Sequence, residues 1–146
     1  MEITDIKILH PDTNKPISYL DWKLNNPNPE RAEWLIITTD ELKPFLLHKN
    51  KRSTTSFDEA LAKGNRLTRA RGIALYEAKT INIDVAIKGI GGDPLKDWVW
   101  TCEKDLKPYS KDNTTAWLVN LETGQMSSYF KDDTFRIREI ADYNEQ

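Results

Sequence analysis

The sequence predicts an α+β fold, in which a twisted, mainly antiparallel sheet has two or three helices packed to one side. Three observations favour this class. Apolar residues alternate near the start of the chain and again after residue 97, which is typical of half-buried strands. Residues 56–79, between them, contain two helix starts with capping residues. Residues 122–124 form a short Gly-containing turn between two β-rich runs, which indicates a hairpin.

Size and charge limit the class of protein. A chain of 146 residues fits one domain over residues 1–146 and can bury about two-thirds of its surface without a disulfide or metal. The net charge of −2 argues against nucleic-acid binding, which usually needs a basic surface. Cys102 is the only cysteine, which excludes an internal disulfide framework.

No apolar run has the length of a signal peptide or of a membrane-spanning helix. We therefore expect no membrane insertion and a location in the cytoplasm or in a phage particle. A surface location reached by a non-classical route stays open.

The first part of the chain is expected to form strands. Residues 2–10 have apolar side chains mostly at period two, and residues 17–24 follow a turn as a second short strand. Asn and Pro at residues 25–29 permit neither helix nor strand, so we place a boundary there between an N-terminal arm (1–30) and a main body (31–146).

The next segment is also β-rich. Residues 34–39 are the best candidate for a central strand, and residues 42–47 are expected to form an edge strand because Pro44 lacks an amide donor. A compact basic loop follows at residues 49–52. Such a loop can attract an anion, although solvated basic loops are commoner.

Two helices are predicted in the middle of the chain. Ser56 and Glu59 have the spacing of a capping box, and Gly64 is placed to end that helix. Thr68 caps a second helix that runs to about residue 79 and buries Ile73 and Tyr76. Residues 80–88 fit a strand or a helix, and their alternation alone favours a strand.

The last part is predicted to be all-β. Trp98 and Trp100 lie on the same side of one strand, and residues 115–121 and 125–130 flank the hairpin turn. Phe135 and Ile137 alternate with arginines in a final strand.

The order of these motifs from about residue 56 to residue 138 resembles the bacterial Lcl C-terminal-domain family, which has a C-type-lectin-like fold. The resemblance implies that residues 80–88 are helical and that residues 31–146 form a lectin-like body. The matching segments are residues 56–60 (Ser-Phe-Asp-Glu-Ala), 66–69 (Arg-Leu-Thr-Arg, without the family's Pro), 87–93 (Ile-Lys-Gly-Ile-Gly-Gly-Asp), 98–103 (Trp-Val-Trp-Thr-Cys-Glu), 116–121 (Ala-Trp-Leu-Val-Asn-Leu) and 135–138 (Phe-Arg-Ile-Arg).

Three tryptophans are candidates for stacking on sugar rings, because an aromatic face complements the apolar face of a pyranose. Tryptophans that alternate with Val and Leu on strands are normally core residues. We favour a core position for Trp100 and Trp117, and leave Trp98 as the candidate for ligand contact.

Metal and catalytic sites are weakly supported. Glu103, Asp105, Asp112 and Asn113 offer oxygen ligands for calcium, but the Glu-Pro-Asn and Trp-Asn-Asp motifs of calcium-dependent lectins are absent, so we predict a solvated loop. Cys102 needs a base to become a nucleophile, and His10 and His48 are far away in sequence. We predict a buried structural thiol there, with no metal and no cofactor.

The favoured hypothesis is a non-enzymatic binding module that recognises a glycan or a protein through the loops after Trp100 of a lectin-like scaffold. One alternative is an enzyme that uses Cys102. Another is anion or nucleic-acid binding through Lys49, Lys51 and Arg52, joined by Arg66, Arg69 and Arg71. The predicted ligand-binding residues are Trp98, Glu103, Lys104, Asp105, Tyr109 and Asn113.

Overall fold

The computed structural model describes residues 3–78, 83–105 and 114–143. Within these residues the chain forms eight strands: Ile3–Leu9 (β1), Pro16–Ser18 (β2), Trp34–Thr39 (β3), Phe45–Lys51 (β4), Trp98–Lys104 (β5), Thr115–Asn120 (β6), Met126–Phe130 (β7) and Arg138–Asp142 (β8). It also forms four α-helices: Tyr19–Asn25 (α1), Phe57–Ala62 (α2), Arg69–Ala78 (α3) and Asp84–Gly89 (α4). A short 3₁₀ turn covers Pro29–Arg31.

The α+β class is confirmed, but the strands form two antiparallel sheets rather than one. The larger sheet has the order β2-β1-β3-β4-β8, and the smaller has the order β5-β6-β7. The described residues also contain four α-helices, where the sequence predicted two or three. The split arises because α3 packs between the sheets, in contact with β1 on one side and with β5 and β6 on the other.

The central strand is predicted correctly, whereas the predicted strand at residues 17–24 is a strand only at its first two residues and is helical from residue 19. β3 is the third of five strands in the larger sheet. After the three residues of β2, Ser18 caps α1, and its Oγ accepts a hydrogen bond from the Asp21 amide at 3.2 Å. The helix is favoured over a strand here because it buries Trp22 completely. The Trp22 indole N–H donates a hydrogen bond to the Pro29 carbonyl at 2.9 Å.

The expected edge strand at residues 42–47 is wrong in both position and neighbours. β4 begins at Phe45, directly after Pro44, so the proline is excluded from the strand rather than tolerated in it. β4 then lies between β3 and β8 in the sheet. It continues to Lys51, so most of the expected basic loop is strand.

Both helix-cap predictions are confirmed. Ser56 Oγ accepts from the Glu59 amide at 3.4 Å, and Thr68 Oγ1 accepts from the Arg71 amide at 3.1 Å. Gly64 ends the first of these helices with a positive φ of 87°.

The buried face of α3 differs from the prediction. Ala74 and Leu75 are fully buried, while Ile73 and Tyr76 are only half-buried. α4 covers the described part of residues 80–88 from residue 84 onward, so the helical interpretation is correct there. Residues 80–82 lie outside the described residues.

The C-terminal hairpin is confirmed, but the final strand starts later than predicted, at Arg138, and the segment before it connects the two sheets. Gly124 has φ 77° in the turn between β6 and β7. Before β8 begins, Phe135 pairs with Thr55 and Arg136 pairs with Val99 of β5 as isolated bridges. The chain then enters the larger sheet beside β4.

Two hydrophobic clusters form the core. The larger fills the space between the sheets and includes Trp22, Phe45, Leu75, Val99 and Val119. The smaller lies on the opposite face of the three-stranded sheet, where Phe57, Ala60, Trp100, Ala116, Leu118 and Ile137 are buried. Trp100 is therefore a core residue, as predicted.

Candidate functional site

The predicted ligand-binding residues do not meet at one place. Trp98 is the first residue of β5 and Lys104 is the last. Trp98 pairs with Asn120 and Lys104 pairs with Ala116, which are four residues apart on β6, so the two backbone positions are separated by about 13 Å. The predicted set is thus divided between the two ends of one strand.

Glu103 is engaged within the protein. Its Oε2 accepts hydrogen bonds from the Arg69 backbone amide at 2.6 Å and from Arg69 Nε at 3.4 Å, which fixes the start of α3. The guanidinium of Arg69 lies 4.8 Å from the ring centroid of Trp117. Trp117 is therefore half-buried beneath a cation rather than in the core, which corrects the prediction.

The remaining predicted residues lie at or beyond the end of β5. Lys104 is exposed, and Asp105 is buried with its amide bonded to the Thr115 carbonyl at 3.1 Å. Tyr109, Asp112 and Asn113 lie outside the described residues. Over the ranges 3–78, 83–105 and 114–143, no three His, Cys, Asp or Glu side chains are grouped so that they could hold a metal ion.

Trp98 lines a pocket of about 290 Å³ with aromatic walls, at the other end of β5. We call it the aromatic pocket. Its lining residues are Trp98, Leu118, Ser127, Tyr129 and Phe135.

Strand register brings these residues together. Leu118 lies opposite Ser127, and Ala116 lies opposite Tyr129, so all four face the same side of the smaller sheet. Tyr129 is 46% exposed, so much of its ring faces solvent. The next residue, Phe130, is 61% exposed and faces the opposite side of the sheet.

Phe135 is fixed by the core beneath the pocket. Its ring makes edge contacts with Trp100 at 5.2 Å and with Tyr129 at 5.3 Å between centroids. Its backbone exchanges two hydrogen bonds with Thr55, at 2.9 and 3.0 Å. Phe135 therefore forms a fixed wall of the pocket, and the Tyr129 ring packs against it.

Trp98 differs from the core tryptophans in its indole N–H. Trp22 and Trp100 donate theirs to the carbonyls of Pro29 and Thr55, at 2.9 and 2.8 Å. No hydrogen bond joins the Trp98 indole to another group in the part of the chain that the structure describes. A ligand hydroxyl could therefore accept from it.

Asp97, the residue before Trp98, fixes the backbone at the start of β5. Asp97 has φ 74°, a left-handed conformation that few non-Gly residues adopt. Its carboxylate pairs with Lys51 at 3.3 Å, and its carbonyl accepts from the Leu121 amide at 3.1 Å. These contacts orient the backbone from which the Trp98 side chain projects.

The basic segment at residues 49–52 uses its charges internally. Lys49 Nζ donates to the carbonyls of Glu30 at 2.6 Å and Ile90 at 3.0 Å. Lys51 pairs with Asp97, and Arg52 pairs with Glu139. All three cations therefore contact other groups of the protein around β4.

Cys102 is a half-buried free thiol on β5. Burial, followed by the charge of Glu103, raises the pKa of Cys102 above its usual value. A raised pKa keeps the thiol protonated at neutral pH, and the thiolate is the nucleophilic form.

No family model, curated protein or solved structure matches the chain. None of the helices formed by the described residues is long and apolar enough to cross a lipid bilayer. The aromatic pocket is thus defined by its own geometry. Of its lining residues, only Trp98 is among the ligand-binding residues predicted from the sequence. The alternation within the predicted hairpin is the signal that places Ser127 and Tyr129 on one face, whereas Phe135 comes from a separate segment.

Proposed function

We propose that the protein is a non-enzymatic binding module that recognises a carbohydrate in the aromatic pocket. The observation on which this proposal rests is that Trp98, Tyr129 and Phe135 line one open pocket on the sheet. Aromatic rings present a flat apolar surface, which complements the C–H face of a pyranose. The volume of about 290 Å³ is near the lower limit of about 300 Å³ for small-ligand sites, which suits one or two sugar rings at the surface.

Two polar groups at the pocket would orient the bound sugar through hydrogen bonds. The Ser127 hydroxyl lies in the lining, and the Trp98 indole N–H is available as a donor. A few placed polar groups on an apolar wall are the usual composition of small-ligand sites. Since none of the pocket residues is acidic, we expect binding to be independent of calcium.

The resemblance of residues 56–138 to the Lcl C-terminal-domain family supports the same proposal. We extend it to a C-type-lectin-like scaffold, on a phage particle or a cell surface. The location of the pocket differs from the expected one, because it lies at the start of β5 rather than in the loop after it.

The test is a binding screen of the purified protein on an array of neutral and sulfated glycans, with calcium or with a chelator. A subset of glycans is expected to bind equally in both conditions. The selected glycan is then titrated by calorimetry against Tyr129→Ala, which should weaken affinity about tenfold. Tyr129 is 46% exposed, so this truncation should leave the fold intact.

Phe130→Ala is the matched control, because it removes a neighbouring exposed aromatic from the other face of β7. Its affinity should stay within about twofold of the unmodified protein. Equal losses in both variants would show that the pocket is not the site. An array without any hit would reject carbohydrate as the ligand and favour a protein partner.

A further inference from the structure

A second cleft, of about 560 Å³, lies between the start of α3 and the end of β8. We call it the arginine cleft. Lys43, Arg66 and Arg71 contribute three positive charges to its lining, and Asp142 contributes one negative charge. The excess is therefore two positive charges. The arginine cleft shares no lining residue with the aromatic pocket.

Arg71 is held in one geometry by the protein. Its Nη1 donates to the Arg66 carbonyl at 3.0 Å, and its Nη2 donates to Asp142 Oδ1 at 2.6 Å. Its guanidinium lies 5.1 Å from the ring centroid of Phe45, and only 14% of its side chain is exposed. Such a fixed guanidinium binds an oxyanion with little loss of side-chain entropy.

Arg66 and Lys43 have capacity for a further anion. The Arg66 side chain is 63% exposed, and its Nη1 contacts Asp142 Oδ2 at 3.3 Å. A guanidinium has five N–H donors, so this single contact leaves most of them for other acceptors. In the described residues, no acceptor is bonded to the Lys43 ammonium.

Asp142 shows where anionic oxygens are stable in the cleft. Its carboxylate bridges Arg66 and Arg71. The hydrogen bond from Arg71 and the charges of Arg71, Arg66 and Lys43 hold the pKa of Asp142 below its usual range. A carboxylate that is 52% exposed is also a competitor that a stronger anion can displace.

The rest of the lining is partly apolar. Leu42, Leu61 and Cys102 contribute to the wall beside the cationic groups. Leu61 is 37% exposed although it is a large apolar residue. An anion with an apolar body would cover this surface, whereas a bare inorganic ion would not.

We propose that the arginine cleft binds a small organic phosphate monoester. The phosphate monoester is a dianion at neutral pH and matches the two-charge excess. Its three terminal oxygens suit the donors of two guanidiniums and one ammonium. The body of the ligand packs on Leu42 and Leu61.

Phenyl phosphate is the probe, and it is titrated by calorimetry at pH 7.5 and low salt. Saturable binding is expected, at least fivefold tighter than that of inorganic phosphate. Arg66→Gln should weaken binding about tenfold. Asp142→Asn should strengthen it at least threefold, because the internal competitor is removed.

Arg31→Gln is the matched control, since Arg31 forms a comparable exposed ion pair with Asp12, at 2.7 Å, outside the cleft. Its affinity for phenyl phosphate should equal that of the unmodified protein. Circular dichroism of each variant confirms that it is folded. Weaker binding by a folded Asp142→Asn variant, or unchanged binding by Arg66→Gln, would overturn the proposal. So would a linear, non-saturating titration.

Discussion

Arg138 is fully buried, which is rare for a charged side chain. Its guanidinium donates to the carbonyls of Asp93 at 2.9 Å, Lys49 at 3.1 Å and His48 at 3.3 Å. Burial lowers the pKa of Arg138 to about 10, while the charges of Asp93 and Asp84 act in the opposite direction. A planar guanidinium with several donors can bond carbonyls in two segments at once, here residues 48 and 49 of β4 and residue 93.

The sequence pattern around Arg138 could not predict this position. Arg136 and Arg138 alternate with Phe135 and Ile137, and one face of a strand normally contains residues of one kind. Arg136 is exposed and Arg138 is buried, because the chain passes from one sheet to the other between them. Only the folded structure shows that three backbone carbonyls lie within hydrogen-bonding distance of the Arg138 guanidinium.

Cys102 should be slow to react with alkylating agents. Because burial raises its pKa and leaves the residue only partly exposed, we expect iodoacetamide at pH 7.4 to modify the folded protein at least tenfold more slowly than free cysteine. The rate is measured by mass spectrometry.

The same protein in denaturant is the control, and its cysteine should react as fast as free cysteine. Faster modification of the folded protein than of free cysteine would support the enzyme hypothesis instead.

At the scale of elements, α3 lies close to β6 because Gly72 lacks a side chain. A Cβ atom at Gly72 would stand 2.8 Å from Cγ1 of Val119, which is shorter than normal van der Waals contact. The glycine thus permits close contact between helix and sheet, at a cost in helix propensity of about 1 kcal/mol.

Gly72→Ala should therefore lower the free energy of unfolding by about 1 kcal/mol, since overpacking of about 1–3 kcal/mol exceeds the gain in helix propensity. In a Val119→Ala background the same change should be neutral or stabilising, because the clashing methyl groups are absent. Urea unfolding of the four proteins measures the coupling. An equal loss in both backgrounds would contradict this explanation.

Local patterns predicted the elements that depend on local chemistry. The caps at Ser56 and Thr68 are correct because a hydroxyl and the amide three residues later meet within one helical turn. Residues 19–24 are helical and not a strand as predicted, because their apolar residues fit either structure. The deciding factor there is the burial of Trp22, which depends on the rest of the core.

The site was predictable only in part for a similar reason. Among the three tryptophans on predicted strands, the sequence leaves Trp98 as the candidate for ligand contact. The aromatic pocket also needs Tyr129 and Phe135, which come from two later segments. Their meeting depends on the register of the hairpin and on the bridge between Phe135 and Thr55, and neither follows from residue spacing alone.

At the scale of the whole molecule, folding stability should depend on the ionisation of His48. This residue is 6% exposed, its Nδ1 accepts from the Asn50 amide at 3.1 Å, and its ring lies edge-on to Trp34 at 4.9 Å. Desolvation and then the charge of Arg52 lower the pKa of His48, against weaker opposite effects of Glu139 and Glu33.

The pKa of folded His48 thus lies below 6.5, its value without these effects. The unfolded chain takes up the proton more readily, so stability falls as the pH drops through 6.5 towards the folded pKa. Urea unfolding between pH 8 and pH 5 should show this loss. His48→Gln should reduce the slope below pH 6.5 and leave the slope between pH 7 and 8 unchanged; identical slopes below pH 6.5 would contradict the assignment.

The pairing of β4 with β8 has a consequence for how the chain folds during synthesis. Leu47 lies opposite Ile140, so a ribosome must add about ninety further residues before the partner of β4 exists. Until then one edge of β4 is open, next to apolar residues such as Phe45, and open edges favour association with other chains. Contacts between distant segments also form slowly. The larger sheet of the nascent protein therefore closes late, and the unpaired edge of β4 is open to association with other chains during this interval.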